Sequence, residues 1–149
     1  MAPSRSVLFV APLLGLAACH HPPSLTPQQI DDDWRACQQS IGDGSYDMTK
    51  RSPKRVGVGP QRKPPGTPII MYGASWCDAC KVAAQYMSQR GIPFVERDVE
   101  KEPGAADDAR AALAAASLER DGALPVLDVR GTVIMGFFSC ALQQAWVAP

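Results

Sequence analysis

Apolar and polar positions change their period several times along the chain, and each change predicts an element. Residues 68–73 hold an unbroken apolar run, Ile69-Ile70-Met71-Tyr72, which predicts a strand buried on both faces. Over about 79–90 the spacing becomes helical, with Val82, Tyr86 and Met87 inward and Gly91 at the end. Ile92 to Val99 predicts a second strand, started by Pro93. An alanine-rich element opens at Pro103 and runs to Gly122, with Leu113 and Leu118 as its only large apolar anchors. Pro125 to Val129 and Thr132 to Phe137 predict a hairpin about Arg130-Gly131. A short last helix starts near Ser139 and buries Leu142 and Trp146. The order over 67–149 is β-α-β-α-β-β-α.

Upstream the pattern is sparser. Thr26 fits an N-cap, Pro27 the first helical position, and Gln29 completes a capping box. Ile30, Trp34, Cys37 and Ile41 then share one helical face, and Gly42 can end the helix. So narrow a stripe needs another surface to lie on. Residues 50–66 contain six basic residues, four prolines and no acidic one, which reads as an extended linker. Such a segment is either a solvated spacer or a patch drawn to anionic lipid or envelope polymer.

The first 18 residues are a targeting segment, outside the fold. Arg5 supplies the positive end and Val7 to Ala18 an apolar stretch far shorter than the roughly 20 residues a spanning helix needs. Leu16-Ala17-Ala18-Cys19 resembles the lipobox of bacterial lipoproteins, which implies a lipidated Cys19 and a chain held on a membrane by two or three acyl groups. His20 follows where an aspartate would mark inner-membrane retention, so the resemblance implies an outer-membrane address facing the periplasm. Residues 19–66 then form a tether, a short helix and the basic linker.

Composition changes this picture little. The net charge is zero, so no general attraction to nucleic acid is expected. An oxidising compartment, by contrast, changes how the five cysteines are read.

Cys77-Asp78-Ala79-Cys80 lies between the first strand and the first helix of the regular region. Two cysteines three apart can close on each other across the first turn of a helix. A sulfur just before that helix meets unpaired backbone N–H groups and the positive end of the dipole, which favour thiolate. Cys77 is the expected nucleophile and Cys80 the resolving thiol. Lys81 adds to the stabilisation of the thiolate and Asp78 opposes it, which favours reductase or isomerase work over strong oxidation.

The element order, the CxxC after the first strand and Leu124-Pro125 at the third strand together resemble the glutaredoxin branch of the thioredoxin fold, over residues 67–149. The resemblance implies an α/β domain with a four-stranded mixed sheet in the order 2-1-3-4 and helices on both faces. The N-terminal extension adds one helix. It also implies a cis Pro125 beside Cys77, with the Leu124 backbone turned toward a bound thiol substrate. Trp76 looks more like thioredoxin's usage, as an apolar lip over the site or as a cap on the sheet. Other positions depart from the glutaredoxin pattern. Asp78-Ala79 replaces Pro-Tyr, Ala74 stands where a lysine binds glutathione, and Ala123-Leu124 replaces Thr-Val. Gly136-Phe137-Phe138-Ser139 stands in place of the Gly-Gly and aspartate segment, leaving Gly136, Ser139 and backbone groups as substrate contacts. No resident cofactor is implied, and glutathione would enter only as a co-substrate.

The expected function is that of a membrane-anchored thiol–disulfide oxidoreductase of the cell envelope, a monomer acting on protein or small-molecule disulfides with an unidentified reducing partner. The alternative is a binding or scaffold lipoprotein whose CxxC is a structural disulfide. A closed zinc site lacks ligands, since no second CxxC exists and His20 and His21 sit on the tether. Cys37 and Cys140 either pair with each other, or leave Cys140 near the dithiol as an extra thiol, or both stay free.

Overall fold

The computed structural model describes residues 24–149, so the targeting segment, Cys19, His20 and His21 lie outside the described residues. In chain order the elements are α1 (Pro27–Gly42), α2 (Met48–Arg51), β1 (Val56–Val58), β2 (Ile69–Gly73), α3 (Asp78–Gln89), β3 (Phe94–Asp98), α4 (Ala105–Ala115), β4 (Val126–Val129), β5 (Thr132–Met135) and α5 (Ser139–Val147). The five strands form one mixed sheet in the order β1-β5-β4-β2-β3. β2 and β3 run parallel, with Ile69 opposite Phe94, and the other three pairings are antiparallel.

The side-chain period of two sorts β2 between two layers. Ile69 and Met71 join the core beneath α1, α3 and α5, while Ile70 and Tyr72 join the core beneath α4. On α3 the buried face is Cys80, Ala83, Tyr86 and Met87; Val82, expected inward, is only half-buried. The alanine-rich element is helical only to Ala115, and the chain then turns at Ser117, whose φ is 55°.

The expected four-stranded sheet is corrected to five strands. The four expected strands keep the order 2-1-3-4, and the added strand comes from the segment read as a linker. Val56, Gly57 and Val58 pair with Ile134, Val133 and Thr132 and cover what would be an open sheet edge. Gly57 is required there, because a Cβ would overlap the Ala116 carbonyl oxygen. Beyond β1 the chain stays attached. Gly59 N–H donates to the Gly131 carbonyl at 2.7 Å, and Lys63 Nζ lies 2.6 Å from Asp128 Oδ2. Arg55 pairs with Asp121 at 2.7 Å and Lys50 with Asp47 at 3.4 Å, so three of the segment's basic residues are held by this chain's own carboxylates.

The extension likewise holds two helices, not one. α1 forms with its capping box realised: Thr26 Oγ1 accepts from Gln29 N–H, and Gln29 Oε1 accepts from Thr26 N–H. Its buried stripe is Ile30, Trp34 and Cys37. Trp34 meets Tyr86 of α3, and Arg90 stacks over the indole at 4.5 Å while pairing with Asp31. Cys37 and Cys140 form a disulfide that joins α1 to the first turn of α5. α2 is a single turn capped by Asp47, and Met48 N–H donates to Gln144 of α5.

Candidate active site

The apolar strand β2 ends at Gly73, and α3 begins at Asp78, five residues later. The turn between them closes with Cys77 N–H donating to the Ala74 carbonyl at 3.0 Å. Cys77 is the N-cap of α3, with extended backbone, and its Sγ accepts the Cys80 N–H at 3.1 Å. Its carbonyl accepts from the N–H groups of both Cys80 and Lys81. The Cys80 N–H, a first-turn donor, is thus shared between the sulfur and the carbonyl of Cys77. Cys77 and Cys80 are joined as a disulfide across this turn, with Cα atoms 5.3 Å apart. Both residues are buried, Cys80 at 1 % exposure and Cys77 at 5 %, so Cys77 is the slightly more exposed of the two.

Gly73 matters here, and the sequence pattern gave it no role. A Cβ at this position would lie 3.0 Å from Cys80 Sγ. A glycine closing an apolar strand just before a CxxC is the signal that would have marked it.

Asp78 and Lys81 both sit in the first turn of α3, in a half-exposed ion pair of 3.0 Å. Trp76 is 62 % exposed, and its indole N–H donates to Glu100 Oε1 at 2.9 Å, which holds the ring at the site's edge. The Leu124–Pro125 bond is cis, and Leu124 packs on the core that holds Cys77 and Cys80. Trp76 and Leu124 share the lining of one cavity, which neither Cys77 nor Cys80 lines.

Gly136 and Ser139, the other two expected contact residues, follow β5 and begin α5. Gly136 has a positive φ of 93° under the Phe138 ring, and its N–H donates to the Pro125 carbonyl. Ser139 Oγ lies 3.8 Å from Cys37 Sγ, so the start of α5 is taken up by α1 and the second disulfide. Neither residue lines the cavity beside Trp76. Cys140 is bonded to Cys37, which removes the reading of Cys140 as an extra thiol of the site.

The comparisons with known proteins agree with this geometry. The model of the glutaredoxin family matches residues 69–134. The chain is also 30 % identical, over 76 residues, to an uncharacterized glutaredoxin-like 8.6 kDa protein in the rubredoxin operon of Clostridium pasteurianum. That match covers 51 % of this chain and 93 % of the relative.

The chain belongs to the glutaredoxin family.

The matched region begins with β2 and ends within β5. It therefore takes in the dithiol, Trp76, Leu124 and Pro125, and leaves out α1, α2, β1 and α5. Family membership suggests thiol-redox chemistry, and the disulfide across the first turn of α3 is consistent with it. Among the described residues no group of three or more His, Cys, Asp or Glu is placed to hold a metal ion. No described helix is long and apolar enough to cross a membrane.

Proposed function

We propose that this glutaredoxin-family protein is a thiol–disulfide oxidoreductase of the cell envelope, anchored by lipid on Cys19, with Cys77 as nucleophile and Cys80 as resolving thiol. The observation that carries the reading is the position of Cys77 Sγ at the mouth of α3, where it accepts the Cys80 N–H. In the reduced protein that N–H and the helix dipole favour a thiolate. The thiolate attacks a substrate disulfide, breaking its S–S bond and forming a mixed disulfide, and the first substrate sulfur leaves as a thiol with a proton. Cys80 then attacks Cys77 Sγ, releases the second substrate thiol, and leaves the Cys77–Cys80 bond. Two electrons pass from protein to substrate, and an envelope dithiol returns them. Asp78 tempers the stabilisation of the thiolate, which favours the reductase or isomerase direction.

The dithiol's reduction potential and a trapping variant test the chemistry. A potential above about −250 mV, with mixed disulfides accumulating on Cys77 in Cys80→Ser, is the expected result. A potential below about −300 mV and no trapped species would assign the bond to structure alone, as in a scaffold lipoprotein. The anchor is tested separately: Cys19→Ala should lose fatty-acid label and leave the membrane fraction.

A further inference from the structure

Helix α4 leaves a cavity that dithiol chemistry alone does not use. Its buried positions are Ala105, Ala109 and Leu113, so methyl groups stand where a helix on a sheet ordinarily presents larger side chains. The space left is about 300 Å³, with Val126 and Met135 of the sheet as its floor and Ala109 and Leu113 as one wall. Neither cysteine lines it, but Trp76 and Leu124, the neighbours in sequence of Cys77 and Pro125, do, so one end of the cavity lies at the residues that flank the dithiol and the cis-proline.

The rim carries charge. Glu100 already accepts the Trp76 indole N–H, and Arg110 pairs with Asp107. Arg120 also lines the cavity and makes no ion pair among the described residues. An apolar interior with an unpaired guanidinium at its rim suits a large apolar group that has a carboxylate nearby.

We infer that this cavity is a side-chain subsite for peptide disulfides, taking a bulky aliphatic or aromatic residue next to the substrate cysteine, with a neighbouring carboxylate at Arg120. The inference rests on the redox reading of Cys77 and Cys80 and adds the substrate class. Glutathione, with no apolar side chain, would leave the space unfilled. A peptide disulfide seated here removes apolar surface from water while its sulfur meets Cys77.

Single-turnover oxidation of the pre-reduced full chain tests it without an external reductant, because the Cys77–Cys80 dithiol supplies both electrons. Each turnover breaks one peptide S–S bond, yields two peptide thiols and forms the Cys77–Cys80 bond. The probes are two disulfide peptides identical except for Leu or Ser beside the cysteine, each with an aspartate following, and oxidised glutathione.

The Leu peptide should react about tenfold faster than the Ser peptide, and oxidised glutathione should react more slowly than the Leu peptide. Ala109→Leu fills the cavity and should bring the Leu-to-Ser rate ratio to about one. Ala106→Leu, at a half-buried position on the same wall, should do likewise and serves if Ala109→Leu does not fold. Arg120→Glu should slow the Leu peptide on the order of threefold. A Leu-to-Ser ratio near one in the unaltered protein, or a preference that survives the fill, overturns the subsite and leaves the redox reading standing. No reaction with any of the three disulfides overturns the redox reading, and the subsite with it.

Discussion

The Cys80 backbone N–H donates to Cys77 Sγ across 3.1 Å, inside the first turn of α3. The helix start itself fixes this contact, so opening the S–S bond leaves the N–H aimed at the freed sulfur. The Cys77 thiol of Cys80→Ser should therefore ionise below the ordinary cysteine value of about 8.5, as read from ultraviolet thiolate absorbance during a pH titration. Asp78→Asn removes a nearby negative charge, and should lower the value further. Lys81→Ala should raise it. A rise on Asp78→Asn would remove Asp78 from any tuning role.

Gly73 and Cys80 make a second close pair. Cys80 is buried and bonded, so it cannot yield to a Cβ that would sit 3.0 Å from its sulfur. Gly73→Ala should cost about 1–2 kcal/mol, through overpacking, in the midpoint of denaturant unfolding with both disulfides intact. It should also slow release of the mixed disulfide on Cys77. A variant as stable and as fast as the parent would show that β2 moves aside easily.

Lys63 and Asp128 show where the sequence was hard to read. Asp128 is 8 % exposed and accepts from both Lys63 Nζ and Gly131 N–H, so it holds the segment after β1 onto the β4–β5 turn. Asp128→Ala should destabilise by about 2–3 kcal/mol, since it removes two hydrogen bonds to a charged group. Lys63→Met should cost nearer 1 kcal/mol, because the ammonium is partly solvated and Gly131 still satisfies the carboxylate. Urea unfolding of both variants measures the difference.

Local patterns made the strands at 69–73 and 94–98, the helix after the CxxC and the Arg130-Gly131 hairpin legible. The β1 strand was not, because Val56-Gly57-Val58 is too short to show a period. Its glycine is demanded by Ala116, far away in sequence. Arg55 and Lys63 on either side of it resembled parts of a solvated linker because their acidic partners lie beyond residue 120. The α4 cavity was hidden for a related reason. A run of alanines announces a helix but not the space it leaves.

The Cys37–Cys140 bridge closes a loop of 103 residues and pins α1 across α3 and α5. In the chain-entropy view, losing it costs up to about 4–5 kcal/mol. Cys37→Ser with Cys140→Ser should lower the unfolding midpoint accordingly, whereas single-turnover reactivity of the dithiol should persist, because Cys37 and Cys140 bond to each other and not to Cys77 or Cys80. Loss of reactivity in a variant that remains folded would tie α1 to the chemistry.

Tyr86 gives the fold a dependence on alkaline pH. Its ring is fully buried, with Trp34 and Phe137 against it, and its hydroxyl donates to Asp33 Oδ2 at 2.9 Å. Burial, first, and the bond to the Asp33 carboxylate, second, raise the phenol far above its ordinary value near 10. In the unfolded chain the phenol ionises near 10, while in the folded chain it stays protonated. Its stabilisation is thus fully present below pH 10 and is lost as pH rises toward the folded value. The loss runs at about 1.4 kcal/mol per pH unit for this one proton. Burial also raises Tyr46 and Tyr72, which add to the same decline. Tyr86→Phe should cost about 1–2 kcal/mol at neutral pH, where it removes one hydrogen bond to a carboxylate. Above pH 10 its stability should fall less steeply than the parent's by close to one proton, so the two curves converge. Denaturant titrations from pH 8 to 11 measure both slopes, and parallel curves would mean that Tyr86 ionises as readily folded as unfolded.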